Sequence, residues 1–208
     1  MSTKIQKDIV CPACGQTQKL EMYTSVNAEE NPELRRDILR ESMFDWECLH
    51  CGYTAQMAYP MIYHDPMNAF MICLRPSGAV SGAEPIPAVR ALKKRSVKNP
   101  QELKEKILIF EAGLDDAAVE LVKNAIVTVV RKNLDGNVHA YFCAATVEEL
   151  RFALFVKGRQ EPVYQTTKMA VYRQSQEVLR TLDYKSPDDF AVVNSKLAQS
   201  LLDEYKSI

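Results

Sequence analysis

Four cysteines in two matched pairs are the residues best equipped for chemistry in this chain. Cys11-Pro12-Ala13-Cys14-Gly15 and Cys48-Leu49-His50-Cys51-Gly52 are one device used twice. A two-residue gap lets both thiolates of a pair point at one tetrahedral metal ion. Glycine after the second cysteine permits the positive φ of a tight knuckle, whose backbone N–H groups turn toward the sulfurs. Zinc lowers thiol pKa enough to keep all four ionised near neutral pH. Cys-Pro-Ala-Cys alone could be a dithiol switch, because a lowered pKa makes a thiol reactive. A second pair with the same following glycine turns the reading toward metal. Four thiolates leave no position for a water nucleophile, so one structural zinc held by Cys11, Cys14, Cys48 and Cys51 is expected. His50 stands between two ligands and could replace one, although that knuckle position is more often solvated. Cys73 and Cys143 lie in apolar strands and read as buried small hydrophobes.

The elements that must bring the pairs together are legible. Thirty-three residues, Gly15 to Glu47, separate them, against roughly 15–20 in the commonest zinc patterns. Strands are expected over 4–10 and 18–26, leading into and out of the first pair. Asn31-Pro32-Glu33 reads as a helix start, with a side-chain acceptor, Pro at the first helical position and an early acid. The helix, 32–41, presents Leu34, Ile38 and Leu39. A strand over 43–47 returns to the second pair, so strand-helix-strand accounts for the long spacing. Further strands are expected over 53–59, 61–64 and 69–74, the last apolar on both faces and so covered on both. Residues 76–88, with Pro76, Pro85, Pro87, Gly78 and Gly82, are the linker candidate.

Beyond it the pattern turns helical. Asn99-Pro100-Gln101-Glu102 is a capping box opening a helix with Leu103, Ile107 and Phe110 on its buried stripe, ended by Gly113. Asp115 or Asp116 caps a second helix to Arg131, whose broad apolar arc (Ala118, Leu121, Val122, Ala125, Ile126, Val129) marks it as central to the core. Asp135-Gly136 is a turn signal before strands at 138–145 and 151–156. Two closing helices are expected over 168–182 and 188–205. The last follows a capping box at 186–189 and buries Phe190, Val193, Leu197 and Leu201.

Other chemistry-bearing residues are weaker signals. His64 of Tyr63-His64-Asp65 could be a general base, with a carboxylate from elsewhere orienting it, so no catalytic residue is assigned and His64 and Asp65 are the candidates. Against this, Asp65-Pro66 is a turn signal, and a histidine at a strand end is usually structural. Asp115 and Asp116 could ligate a second metal, but a helix N-terminus explains them. His139, on a predicted strand, reads as structural. Lys93, Lys94, Arg95 and Lys98 form the one dense basic run and are the nucleic-acid candidates; a charged strand edge is the commoner meaning of such a cluster. No glycine-rich phosphate loop, nucleophile elbow or dinucleotide fingerprint is present.

Composition narrows the classes. The 208 residues are 47% hydrophobic and 25% charged, and 26 Lys and Arg oppose 27 Asp and Glu for a formal charge of −1. That balance offers no global attraction to nucleic acid or an anionic membrane, so such binding needs a local patch. The first ten residues have no apolar core and do not read as a signal peptide. No stretch approaches the roughly 18 apolar residues of a membrane span. Six cysteines without a secretory signal favour metal binding over disulfides, and a cytoplasmic location is expected.

Cys11-Pro12-Ala13-Cys14-Gly15, Ser25-Val26-Asn27, Asn31-Pro32-Glu33-Leu34, residues 44–52, Tyr59-Pro60 and Tyr63-His64-Asp65 together resemble the bacterial CpXC domain family. Glu105-Lys106-Ile107 through Phe110, Gly113-Leu114-Asp115-Asp116 and residues 120–123 resemble its continuation, so the likeness spans about residues 8–125. It implies a zinc-ribbon-like module of unestablished activity, lending the zinc site but no substrate. Leu49 stands where the second pair often has proline, and Ala117 where a basic residue is frequent. The latter weakens any idea that this segment binds an anion.

The expected fold is α+β: an antiparallel β zinc ribbon with an inserted helix over 1–75, a linker and basic segment over 76–98, and a helix-rich α+β part over 99–208. The leading functional expectation is a zinc-stabilised, non-enzymatic interaction module binding a protein partner or itself, a preference to which fold-level analogy contributes. Nucleic-acid binding through Lys93 to Lys98 is the alternative, and hydrolysis centred on His64 the second alternative.

Overall fold

In the computed structural model, which describes residues 1–76, 92–133, 137–187 and 189–208, the partial alternation of the first residues folds into a long hairpin. β1 (Thr3–Val10) and β2 (Thr17–Asn27) pair antiparallel down to Val10↔Thr17. Only the end of β2 joins a larger sheet, where Ser25, Val26 and Asn27 run parallel to Ile62, Tyr63 and His64 of β5 (Met61–Asp65). β5 pairs antiparallel with β6 (Phe70–Leu74), and β6 parallel with β7 (Lys93–Val97), giving the order β1-β2-β5-β6-β7. Every residue of β6 is buried, as its two-sided apolarity requires. Among the described residues the chain is α+β, with five α-helices and three sheets. None of these helices is long and apolar enough to cross a membrane.

The chain divides into two compact units, Met1–Lys104 with Asp188–Phe190, and Glu105–Pro187 with Ala191–Ile208. In the first, α1 (Pro32–Leu39) opens with Pro at its first position and buries Leu34 and Ile38, just over one turn apart on one stripe. Asn31 does not cap it through its side chain, contrary to expectation. The Asn31 Oδ1 accepts from Ser2 Oγ at 2.7 Å, and its Nδ2 donates to Glu33 at 3.0 Å. After α1, Glu41 takes φ 64° and leads a 3-10 turn over Ser42–Phe44, so the returning strand starts two residues later than predicted. That strand, β3 (Asp45–Glu47), pairs only with β4 (Thr54–Gln56) in a separate two-stranded sheet. The strand expected over 53–59 is thus three residues long. The core of this unit includes Val26, Ile38, Phe44, Tyr63 and Ile72, each no more than 1% exposed.

Lys93–Val97, grouped with the linker by sequence, is the β7 strand at the end of the sheet order. The linker candidate otherwise falls on residues 77–91, and the Asp135-Gly136 turn on 134–136, both outside the described residues. α2 (Pro100–Glu111) begins as its capping box predicts: Glu102 N donates to Asn99 Oδ1 at 2.8 Å, while the Glu102 carboxylate accepts the Lys98 amide at 2.7 Å. Gly113, at φ 68°, ends the helix.

In the second unit, α3 (Asp116–Asn133) is capped by Asp115, whose Oδ1 accepts from Ala117 and Ala118 amides at 2.9 and 3.1 Å. β8 (Val138–Ala145), β9 (Glu149–Val156) and β10 (Val163–Lys168) form an antiparallel sheet in the order β10-β9-β8. β10 has no counterpart in the sequence reading, because its six residues are almost all exposed and carry no alternation. α4 (Met169–Thr181) and α5 (Ser195–Lys206) pack on α3, which also packs on β8. α5 starts seven residues later than expected. Its cap is Asn194, which accepts from Lys196 and Leu197 amides, and Phe190 and Val193 precede it; Asp188 lies outside the described residues. α3 is central only in its first half, since Ala125 and Val129 are exposed. Cys143, expected to be buried, is half-buried at a bulge between Phe142 and Ala144.

A charge network lies inside this unit. Lys123 Nζ donates to Glu105 at 2.9 Å and Glu120 at 3.0 Å, and the second Glu105 oxygen accepts the Phe142 amide at 2.7 Å. Lys106 pairs with Asp116 at 2.9 Å. All five charged residues are 8% exposed or less. Burial pushes the Glu120 carboxyl above its ordinary range, against the pull of Lys123. Burial also disfavours the Lys123 ammonium, but Glu105 and Glu120 outweigh it and hold its pKa above the usual value. The Glu120 contribution to stability is therefore full below the ordinary carboxylate pKa and fades as pH rises through the raised one. The Lys123 contribution persists through neutral pH and is lost only in strong alkali. Lys123→Met, which strands two buried carboxylates, is expected to cost about 3–5 kcal/mol in urea unfolding at neutral pH. The loss should shrink on acidification as the carboxyls take up protons. Glu120→Gln should change stability by about 1 kcal/mol or less in the same assay.

Candidate metal centre

Each cysteine pair is the turn of a hairpin. Cys11 N donates to Gln16 O at 2.8 Å and Gly15 N to Cys11 O at 2.9 Å; Cys48 N donates to Tyr53 O at 2.8 Å and Gly52 N to Cys48 O at 2.8 Å. Gly15 and Gly52 share φ 71°. A Cβ built on either meets nothing within 4 Å, so the glycines serve backbone conformation rather than space. The two knuckles are the same structure, which the repeated Cys-x-x-Cys-Gly predicted.

The knuckles converge. The Sγ atoms of Cys11, Cys14, Cys48 and Cys51 all lie within 4.8 Å of one another. Cys11 to Cys51 and Cys14 to Cys48 are each 3.7 Å apart, close to the roughly 3.8 Å edge of a tetrahedron whose centre bonds sulfur at about 2.3 Å. A disulfide would need about 2.05 Å. Cys11 and Cys48 are each 1% exposed, and the second cysteine of each pair faces solvent. The buried pair rests on Trp46 of β3, with Ile9, Leu20, Ala55 and Met57 packed around.

Electrostatics show why such a cluster calls for a cation. Burial opposes the Cys11 thiolate, but hydrogen bonds from the Cys14 and Ala13 amides and from neighbouring thiols outweigh it and lower its pKa to about 7. The Tyr53 amide favours the Cys51 thiolate, yet burial and the three other cysteines push its pKa up to about 12. One sulfur ionises readily at the expense of another, and a cation at the centre removes that conflict. The four residues fit a thiolate-bound metal ion in number, chemistry and spacing.

Gln18 completes the arrangement and escaped the sequence reading. Its Nε2 donates to Glu47 O at 2.9 Å and its Oε1 accepts from Leu49 N at 2.9 Å, so one side chain from β2 brackets Cys48 on the other hairpin. Nothing in a lone exposed-looking glutamine signals this; only the register of β1 with β2 points it across.

The remaining candidates are not assembled into sites. Both Asp65 oxygens are taken by Asn68, from its amide at 3.0 Å and its Nδ2 at 2.8 Å. Asp65 thus closes a turn, as Asp-Pro suggested, and does not orient His64. His64 is half-buried in β5, and among the described residues no side chain hydrogen-bonds to it. Lys93, Lys94, Arg95 and Lys98 do not form one exposed patch. Alternation along β7 puts Arg95 on the covered side at 1% exposure, with Lys93 and Lys94 half-buried and Lys98 alone exposed. His50 and His139 are solvent-exposed, and Asp116 is consumed by Lys106.

A family model described as CpXC protein matches residues 9–123, more than half of the chain and all four clustered cysteines. The chain belongs to the CpXC family. No curated protein and no solved structure matches it. The CpXC match ends at Lys123, so it takes in Glu105, Lys106, Asp116 and Glu120 as well.

In this CpXC protein Gly15→Ala and Gly52→Ala, at positive φ, should each cost about 1–2 kcal/mol of metal-bound stability. Gln18→Ala, losing two hydrogen bonds, should cost a similar amount. Competition with a chromophoric chelator measures all three; unchanged metal affinity in Gln18→Ala would refute the bracketing role.

Proposed function

We propose that this protein is a zinc-stabilised, non-enzymatic interaction module of zinc-ribbon type, binding a protein partner or a second copy of itself in a reducing compartment such as the cytoplasm. The observation that carries the reading is the meeting of four cysteine sulfurs at the tips of two hairpins. Two knuckled hairpins whose cysteines could share one tetrahedral site support the zinc-ribbon reading, with α1 as an insertion between them. Cys11, Cys14, Cys48 and Cys51 would hold the ion. Four thiolates fill its coordination sphere, so the zinc supplies folding energy and charge neutralisation.

The partner-binding side of the reading rests on what the knuckles expose. Leu49, inside the second knuckle, is 85% exposed, Val10 beside the first is 61%, and Tyr53 after the second is 41%. Large apolar side chains on tightly held backbone cost solubility and suit a partner surface. The basic-run alternative loses support from the burial of Arg95, and the His64 alternative from the lack, among the described residues, of a carboxylate hydrogen-bonded to His64.

A tetrahedron of thiolates suits zinc or iron. Native mass spectrometry of protein purified without chelator should find one zinc per chain in a colourless sample, and Cys14→Ser or Cys51→Ser should abolish it. Visible absorbance from iron, or much less than one metal ion per chain, refutes the zinc assignment. Leu49→Asp should leave zinc content intact while weakening self-association in sedimentation, or cross-linking to a partner in cells. If Leu49→Asp changes neither, the knuckle is not the docking surface.

A further inference from the structure

The sheet of the second unit ends in β8 on one side and β10 on the other. A sheet edge presents N–H and C=O groups that must be bonded or left to water. Backbone hydrogen bonds fix which groups those are. Met169 N donates to Glu148 O at 2.6 Å, continuing the register in which Lys168 faces Glu149 and Thr167 faces Leu150. Val163, Gln165 and Thr167 therefore turn their backbone groups toward β9, and Tyr164, Thr166 and Lys168 turn theirs away from it. By the same alternation Val138, Ala140 and Phe142 are the outward residues of β8.

The two edges differ. On β8, Glu105 takes the Phe142 amide at 2.7 Å and Arg131 donates to Val138 O at 3.3 Å. The edges of the five-stranded sheet carry charge, Lys4, Lys7 and Asp8 on β1 and Lys93, Lys94 and Arg95 on β7, which discourages a further strand. β10 has neither protection. Residues 162–167 are uncharged, the register with β9 runs without a bulge, and five of the six strand residues are exposed. The Thr166 carbonyl accepts from its neighbour Gln165 at 3.0 Å, a bond that leaves its second lone pair open.

Charge at the ends of β10 selects the occupant. Glu161 precedes the strand and Lys168 closes it, both exposed, and among the described residues neither has an ion-pair partner. Glu149 faces Lys168 from β9 without pairing to it. Lys168 is also the N-cap residue of α4, where its side chain makes no capping bond and the first turn carries no acid. A cation there opposes the helix dipole, so this end of β10 wants a negative group.

A second copy running antiparallel supplies one. With the two-fold axis at Gln165, Tyr164 pairs with Thr166 of the second copy, and the Lys168 amide meets the carbonyl of Pro162, which has no N–H to give. Glu161 then reaches Lys168 and the start of α4 in the other copy, and by symmetry every contact occurs twice. At each end of the joined sheet, the loop carrying Lys157 and Arg159 lies on the same side as the other copy's Glu148 and Glu149. The two Arg151 guanidinia, each 4.4 Å from the centre of its own Tyr164 ring, stay three strand spacings apart, about 14 Å. An axis at Thr166 keeps the backbone pairing but carries Glu161 past Lys168 to Val171, so charge sets the register. A strand of another protein makes the same backbone bonds, but only a second copy brings Glu161 and Lys168 at this spacing by construction.

We propose that β10 is a dimerisation edge, through which two copies pair antiparallel and join their three-stranded sheets into one of six strands. The pairing rests on neither the metal nor the Leu49 surface. Sedimentation equilibrium of the full chain across the micromolar range, where small interfaces associate, should show monomer and dimer exchanging. Amide hydrogen exchange reads the register. The Tyr164, Thr166 and Lys168 amides should gain protection as protein concentration rises, whereas those of Gln165 and Thr167, bonded to β9, should not change. Glu161→Lys and Lys168→Glu should each weaken the dimer about tenfold, because two surface charge pairs become repulsive. An equimolar mixture of the two variants should regain the association of the unaltered chain, since each copy then meets opposite charge. Thr166→Pro removes an outward amide that β9 does not use, so it should abolish the dimer while the melting curve shows an intact fold. A monomer at every concentration, including one whose β10 amides are protected only by a strand of another protein, overturns the proposal. So does a dimer whose outward amides stay unprotected, or a variant mixture that associates no better than either variant alone. A dimer that Leu49→Asp dissociates and Thr166→Pro does not also overturns it, and leaves the knuckle reading intact.

Discussion

Four sulfurs brought within 4.8 Å of one another form the constraint around which the first unit is organised. Thiolates at that spacing would repel one another, and hydrogen bonds among the four cysteines favour the Cys11 thiolate while they disfavour that of Cys51. Little else is available to hold the tips of the hairpins together. The buried apolar residue beneath the cysteines is Trp46, with four half-buried neighbours, and a core that small cannot by itself fix two hairpins. Gln18 adds a polar bracket around Cys48, and a cation bound at the centre would supply the remaining attraction.

The architecture serves this convergence. β1 and β2 are anchored in the five-stranded sheet only at Ser25 to Asn27, which leaves the rest of the hairpin to reach the first knuckle. β3 and β4 belong to no larger sheet and exist to present the second. Between them, α1 buries Leu34 and Ile38 and returns the chain, so the long spacing between cysteine pairs takes in β2, a docked helix and β3. The same knuckle geometry that aims the sulfurs inward leaves Leu49 outside. Convergence of the sulfurs and surface apolarity thus arise from one loop conformation.

The second unit is held by different physics. Its buried ions are satisfied in pairs and by a backbone amide: Glu105 takes both Lys123 and the Phe142 N–H, covering a polar group of a strand at the end of its sheet. Such a network adds little net stability compared with an apolar core, but it penalises any misplacement of α2, α3 or β8, because each then strands a charge. A sheet fixed in this way by helices on one face is free to carry aromatic and basic side chains on the other.

The sequence by itself determined what depends on short-range chemistry. Cys-x-x-Cys-Gly dictates a knuckle because two thiols and a left-handed glycine suffice for it, and Asn99-Pro100 with Glu102 dictates a helix start through local hydrogen bonds. Buried strands such as Phe70–Leu74 announce themselves by apolarity on both faces. Tertiary structure decided the rest. Asn31 looked like a cap until Ser2, 29 residues away, claimed its oxygen. Ser186 to Asp189 carried a capping box, yet Asn194 begins the helix. Arg95 read as surface charge until strand alternation in β7 turned it inward. Gln18 acquired its role from a partner hairpin, and β10 became a strand by pairing with β9, with almost no buried side chain to reveal it. Asn194 caps through local hydrogen bonds, but in the other cases the deciding partner is distant in sequence, so no local pattern can encode it.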